Sequence, residues 1–154
     1  MKPGRTPLVV ANWKMNHLHA DLAAFAETFL TGYVPAAGVE VGVAPTFTLL
    51  SRASKLFSKN GVQVLAQNAH FEDKGAFTGE ISMAQARDVG CVGVILGHSE
   101  RRQVFGETDE ALAKKIPAAR AHGLRPLLCI GETLAQREGG QTLGVLRQQL
   151  SILQ

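Results

Sequence analysis

Five short apolar runs recur along the chain, at residues 8–11, 39–44, 62–66, 92–96 and 126–130. Each is rich in Val, Ile and Leu and carries apolar side chains at successive positions, so both faces are apolar. That pattern predicts parallel strands covered on both sides, not strands with one face in water.

Helical spacing fills the gaps. Leu18, Leu22, Phe25 and Phe29 recur on one face, with Gly32 placed to cap the helix C-terminus. Leu49, Ala53 and Leu56 repeat the pattern before Asn60-Gly61 ends it. Ser82 and Gln85 stand at capping-box spacing and open a short helix that Gly90 closes. Thr108, Asp109 and Glu110 place a cap and two acids where a helix dipole favours them. That helix is predicted to reach Gly123, with a kink at Pro117. Leu143, Leu146, Leu150 and Leu153 form a last apolar stripe.

The order is thus a strand followed by helical structure, five times over, without linker or low-complexity break. Such alternation predicts α/β architecture with a parallel sheet and right-handed crossovers. An open doubly wound sheet and part of a (β/α)8 barrel both satisfy it. A complete barrel takes roughly 250 residues, and 154 residues for five units keep the same pace of about 30 residues per unit. The helical stripe still runs at residues 151–154. Residues 1–154 therefore read as one partial-barrel domain holding the first five units.

Composition narrows the classes. The chain is 45% apolar and 19% charged with a formal net charge of +3, a globular profile. Lys and Arg form no block and do not interleave with aromatics, which argues against nucleic acid as a partner. Cys91 and Cys129 each lie in an apolar run and read as reduced core thiols. The first residues lack the apolar stretch of a signal peptide, and no run reaches transmembrane length. The expectation is a cytoplasmic protein without membrane contact.

In α/β folds chemistry collects at the carboxyl ends of the strands. Here these ends carry Asn12-Trp13-Lys14, Pro45-Thr46, Gln67-Asn68, His98-Ser99 and Gly131-Glu132-Thr133. Asn, Lys and His together suit an oxygen-rich anion. Taken singly, each has a structural reading: Lys14 as a solvated loop residue, Asn12 as a turn residue, His98 as a capping or core histidine. Glu100, Arg101 and Arg102 equally make a structural ion-pair cluster. His17 and His19 lack the i, i+4 spacing of a zinc site, and no glycine-rich nucleotide loop follows any strand, so neither metal nor nucleotide cofactor is expected. Residues 70–79 place Phe71, Ala76 and Phe77 in a polar connection, either folded on the chain's own core or buried in a second subunit.

The segments Ala11-Asn-Trp-Lys-Met-Asn16, Gln67-Asn68, Gly75-Ala-Phe-Thr-Gly-Glu80, Gly97-His-Ser-Glu-Arg-Arg102, Phe105-Gly-Glu107 and Cys129-Ile-Gly-Glu-Thr133, in this order, resemble the triosephosphate isomerase family. The resemblance runs from the first strand to the last residue. It implies the fold of a TIM barrel, with about five of eight units in this span, and a glycolytic and gluconeogenic isomerase. The reaction implied interconverts dihydroxyacetone phosphate and glyceraldehyde 3-phosphate through an enediolate, without cofactor or metal. By the same resemblance His98 is the electrophile and Lys14 the cation for phosphate and enediolate. Asn12 is a substrate-binding donor, and Glu100 supports Lys14 and the proton traffic. Gly75, Phe77 and Thr78 belong to the loop of a homodimer, with Thr78 reaching toward the partner's site. His98 also stands where a short helix starts, whose dipole disfavours an imidazolium.

None of the acids present matches the family's general base, nor do its closing lid and glycine-rich phosphate loops occur among these residues. Residues 1–154 alone are therefore expected to lack useful isomerase activity. The competing expectation is a non-catalytic half-barrel module that binds a phosphate ligand or serves in assembly.

Overall fold

The computed structural model describes residues 4–153. Parts of two sequence expectations, the absence of a leader at residues 1–3 and the last residue of the final stripe, Gln154, lie outside it. Five strands, β1 (Leu8–Asn12), β2 (Glu40–Ala44), β3 (Val62–Ala66), β4 (Gly93–Leu96) and β5 (Arg125–Leu128), pair in that order, every neighbour parallel. The helices are α1 (His19–Gly32), α2 (Leu50–Phe57), α3 (Met83–Asp88), α4 (Ser99–Gln103), α5 (Asp109–Ala121), α6 (Leu134–Glu138) and α7 (Thr142–Leu150).

Both faces of the sheet are apolar, as the runs predict, but β1 departs from the expected double cover: β3 and β4 are buried almost throughout, whereas β1 exposes Val9 and Ala11. On the helix side Val43, Val64, Val94 and Leu96 pack with Leu22, Leu50, Phe57, Leu112 and Ile116 in the main core. Phe25 and Phe29 stack at 5.3 Å, and both meet the edge of Phe57. On the other face Ala44, Leu65 and Ile95 form a second cluster with Val10, Leu127 and Cys129 packed against it.

That second face curls over itself. Glu40 opens β2, yet its carboxylate is 2.7 Å from the Arg125 guanidinium on β5, with Gln63 of β3 donating to it at 2.6 Å. A flat sheet would hold β2 and β5 three strand spacings apart, on the order of 14 Å. The curl needs room, which Gly93 supplies: a Cβ there would stand 2.8 Å from the Arg125 carbonyl and 2.9 Å from Leu65. The five strands are a curled half-barrel, an incomplete TIM barrel of about the first five units. Among the described residues no helix is long and apolar enough to cross a membrane.

Local departures from the sequence reading have simple causes. Gly32 is the last residue of α1 and not its cap; the extended Tyr33 caps the helix and stacks on Phe29 at 4.8 Å. α5 runs through Pro117 as the spacing predicts but ends at Ala121, with His122 as its cap; the proline removes the hydrogen bond to the Ala113 carbonyl. The last stripe splits into α7 and a 3-10 turn, and Leu143, Leu150 and Leu153 stay exposed. β5 closes at Leu128, short of Cys129 and Ile130.

Candidate active site

The cleft is built at the strand ends. Asn12, Lys14, Thr46, Gln67, Asn68, His98 and Glu100 line a hollow of about 260 Å3, with Met15, Phe47, Arg101 and Phe105 at its margins. The sequence-predicted residues Asn12, Lys14, His98 and Glu100 are therefore brought together from β1 and β4, although 86 positions separate Lys14 from Glu100.

Lys14 is held in an unusual backbone state. Its φ is 53°, a left-handed conformation that costs a non-glycine residue on the order of 1–2 kcal/mol. Three contacts over-determine it. Its N–H donates to Asn12 Oδ1 at 3.1 Å. Gln67 Nε2 donates both to the Lys14 carbonyl and to that of Ala44, each at 2.8 Å. At the far end, the ammonium meets Glu100 Oε1 at 2.6 Å. With the Asn12 oxygen turned to the Lys14 amide, the group Asn12 has for a substrate oxygen is its Nδ2 donor.

His98 caps α4. The turn that delivers it runs through Gly97 at φ 70°, where a Cβ would lie 2.9 Å from the Arg102 guanidinium and 3.0 Å from the Cys129 carbonyl. His98 Nδ1 accepts the Glu100 N–H at 3.3 Å. The Glu100 carboxylate also lies 3.5 Å from that nitrogen, a contact that needs a proton on Nδ1 to be attractive. The amide bond occupies the Nδ1 lone pair, so we assign the proton of a neutral ring to Nε2. The hydrogen bond from Lys14 holds the Glu100 carboxyl below its ordinary value, and the Coulombic pull of Lys14 adds to this. Glu100 is accordingly an ionised acceptor.

Beneath the cleft lies a buried network that sequence reading did not single out. Glu107 Oε2 accepts the Gly97 N–H at 3.0 Å, and its other oxygen meets the Lys115 ammonium at 2.5 Å. Lys115 also donates to Asn68 Oδ1 at 2.8 Å. Arg102 donates to the Gly97 carbonyl at 2.9 Å and to Asp109 at 2.6 Å. Gly97, the residue before His98, is thus pinned at both its amide and its carbonyl. A carboxylate directly after Phe105-Gly106 and a lysine on the inward face of α5 were the available signals.

Two further acids are held by other groups. Glu107 is occupied by Lys115 and the Gly97 amide, and Glu132 by Arg137 at 2.7 Å. Burial pushes the Cys91 thiol up to about 12 and raises Cys129 as well; both are free thiols without nucleophilic character. Gly75, Phe77 and Thr78 lie outside the cleft, in a loop whose residues from Glu72 to Glu80 are all exposed.

A family model described as triosephosphate isomerase matches residues 7–154. The triosephosphate isomerase of Aquifex aeolicus (strain VF5) is 45% identical over 145 residues, covering 94% of this chain and 59% of that protein. That of Trichlorobacter lovleyi is 47% identical over 146 residues, covering 95% and 58%. That of Endomicrobium trichonymphae is 45% identical over 146 residues, with the same coverage of 95% and 58%. The chain thus spans a little under three fifths of the length of these relatives.

Proposed function

This chain belongs to the triosephosphate isomerase family, and from that premise we propose that the polypeptide carrying it interconverts dihydroxyacetone phosphate and glyceraldehyde 3-phosphate. The observation that carries the reading is one cleft in which Asn12, Lys14, His98 and Glu100 converge from two strand ends.

In this reading the substrate carbonyl lies between two donors, His98 Nε2–H and Asn12 Nδ2. A carboxylate base removes the proton from the carbon next to the carbonyl, and the electron pair moves onto the carbonyl oxygen. The resulting enediolate gains its stabilisation where fixed donors already point, at no reorganisation cost. His98 moves the proton between the two oxygens, and return of a proton to the neighbouring carbon completes the isomerisation with no net change in oxidation state. Lys14 supplies the positive charge that both the phosphate and the enediolate need. Glu100 keeps that ammonium oriented.

The base is a separate requirement, since proton abstraction needs an acceptor within hydrogen-bond reach. Glu107 and Glu132 are committed to their cationic partners, and Glu100 is paired with Lys14. We therefore propose that a polypeptide limited to residues 1–154 binds the phosphate-bearing substrate weakly and does not turn it over.

A homodimer and a cytoplasmic location are further parts of this proposal. Supporting the first, Phe77 is 42% exposed on the loop that also carries Gly75 and Thr78, and Met15 and Phe105 expose apolar surface beside the cleft, at 92% and 67%. Apolar side chains held this far out fit burial in a second copy better than packing on the chain's own core. Supporting the second, both cysteines are unpaired.

A coupled assay for triose phosphate interconversion, with no cofactor or metal added, tests the proposal. The full polypeptide is expected to be active and its His98→Gln variant to lose about 100-fold or more in kcat. Full activity in that variant, or turnover by residues 1–154 comparable to the full polypeptide, refutes it.

A further inference from the structure

The loop between β3 and α3 is exposed from Glu72 to Glu80, and two of its glycines take positive φ, 149° at Gly75 and 93° at Gly79. Exposure along this length places such a segment at the low-stability end of a protein. Its own hydrogen bonds are short-range: the Glu72 N–H to His70 Nδ1 at 3.0 Å and the Glu80 N–H to the Phe77 carbonyl at 3.0 Å. At its base the His70 N–H donates to Ile81 at 2.7 Å.

One element holds it from outside. Among the described residues, a single side-chain hydrogen bond joins residues 70–80 to another element: His122 Nε2 and Asp73 Oδ1 lie 2.6 Å apart, across 49 positions. The Lys114 ammonium stands 5.1 Å from the centroid of the Phe71 ring, within cation–π range. Lys114 lies on α5 and His122 is its C-terminal cap. Eight positions of helix set these two grips about 12 Å apart, so they restrain the loop at two points and oppose its rotation as well as its escape. The hold then passes inward. Phe71 stacks on His70 at 4.3 Å, and Phe77 packs against the same ring at 4.0 Å.

We propose that helix α5 is a clamp on this loop, with Lys114 and His122 as the positioning residues that keep Phe77 and Thr78 standing outward. A loop ordered in advance does not lose conformational entropy on docking, so the clamp strengthens self-association. That consequence rests on the reading of the loop as the surface taken by a second copy. The clamp itself is a property of one chain.

The test is amide hydrogen exchange of Glu72 and Glu80 in the full polypeptide, comparing wild type, Asp73→Ala, His122→Ala and the double variant. Each single variant is expected to exchange these amides about two- to five-fold faster, as loss of one exposed pair allows. The double variant should add nothing to the larger single effect. Asp73→Ala touches no helix, so fraying of α5 does not produce its effect. Lys114→Met, which removes the cation and keeps the stem, should add its own increase to either single variant. Unchanged exchange in Asp73→Ala, or fully additive effects of Asp73→Ala and His122→Ala, overturns the clamp.

Sedimentation of the same variants reads the consequence: weaker self-association supports pre-ordering, and unchanged association with faster exchange overturns it. A wild-type protein that stays monomeric at every concentration fails the docking reading, while the exchange data still decide the clamp.

Discussion

The Lys14 ammonium lies 2.6 Å from Glu100 Oε1, a contact between a residue just beyond β1 and one in the first turn of α4. Both side chains are about half exposed, so the pair adds little to stability. Its value is directional, because it fixes a point charge at the mouth of the cleft. Since Lys14 holds the Glu100 carboxyl below 4.5, the pair is present above that value and lost as pH falls through the depressed one. Glu100→Gln is expected to lower kcat/KM about 10- to 100-fold with an unchanged unfolding midpoint. Steady-state kinetics beside urea unfolding checks both halves.

The neutral His98 ring is expected to carry its proton on Nε2. The hydrogen bond accepted by Nδ1 from the Glu100 amide requires it. Nitrogen-15 chemical shifts of the ring distinguish the tautomers. A protonated Nδ1 contradicts the assignment and removes the donor aimed at the carbonyl.

Lys115→Met leaves the Glu107 carboxylate buried opposite an alkyl chain. Breaking one side of such a pair costs about 3–5 kcal/mol, read as a lowered urea midpoint. Glu107→Gln in the same background should recover part of the loss, because the buried carboxylate charge is then removed and only the partly exposed Arg101, 3.6 Å from Glu107, is left without it. Recovery identifies the network as a charge-neutral support under the Gly97–His98 turn.

The strut that marks the curl of the sheet gives a pH dependence. The hydrogen bond from Arg125, then that from Gln63, holds the Glu40 carboxyl below its ordinary value of 4.5. A depressed carboxylate contributes stability that is fully present above the unfolded value and is lost as pH falls through the folded one. Stability should therefore fall with acid below 4.5, with a shallower slope in Glu40→Gln. Urea midpoints across that range give the comparison.

Gly93→Ala places a methyl against the Arg125 carbonyl and Leu65. The expected loss is about 1–3 kcal/mol. Trimming the neighbour as well, with Leu65→Ala, should not restore it, since the backbone carbonyl stays in place.

The strands were legible because each is apolar at successive positions, and the parallel pairing of all five agrees with that pattern. Asn12, Lys14 and His98 were legible as strand-end polar residues, and the structure gathers them in one cleft. Other features were not visible along the chain. α6 is only five residues long, and its Leu134 is 71% exposed, so no apolar periodicity marks it. Gln67 looked like a strand terminus, because its two carbonyl partners sit 23 and 53 positions away. Lys115 drew no reading from the sequence, because its partner Asn68 sits 47 positions away. Pairing across the chain, not local pattern, decides these roles.

The central claim is that this cleft promotes proton transfer through an enediolate. Conversion of dihydroxyacetone phosphate by the full polypeptide in deuterium oxide, followed by proton nuclear magnetic resonance, tests it most directly. The account predicts deuterium on the carbon that receives the returning proton, at a rate that collapses in His98→Gln. Conversion with no deuterium in the product, as a direct hydride shift would give, or an undiminished rate in that variant, would contradict it.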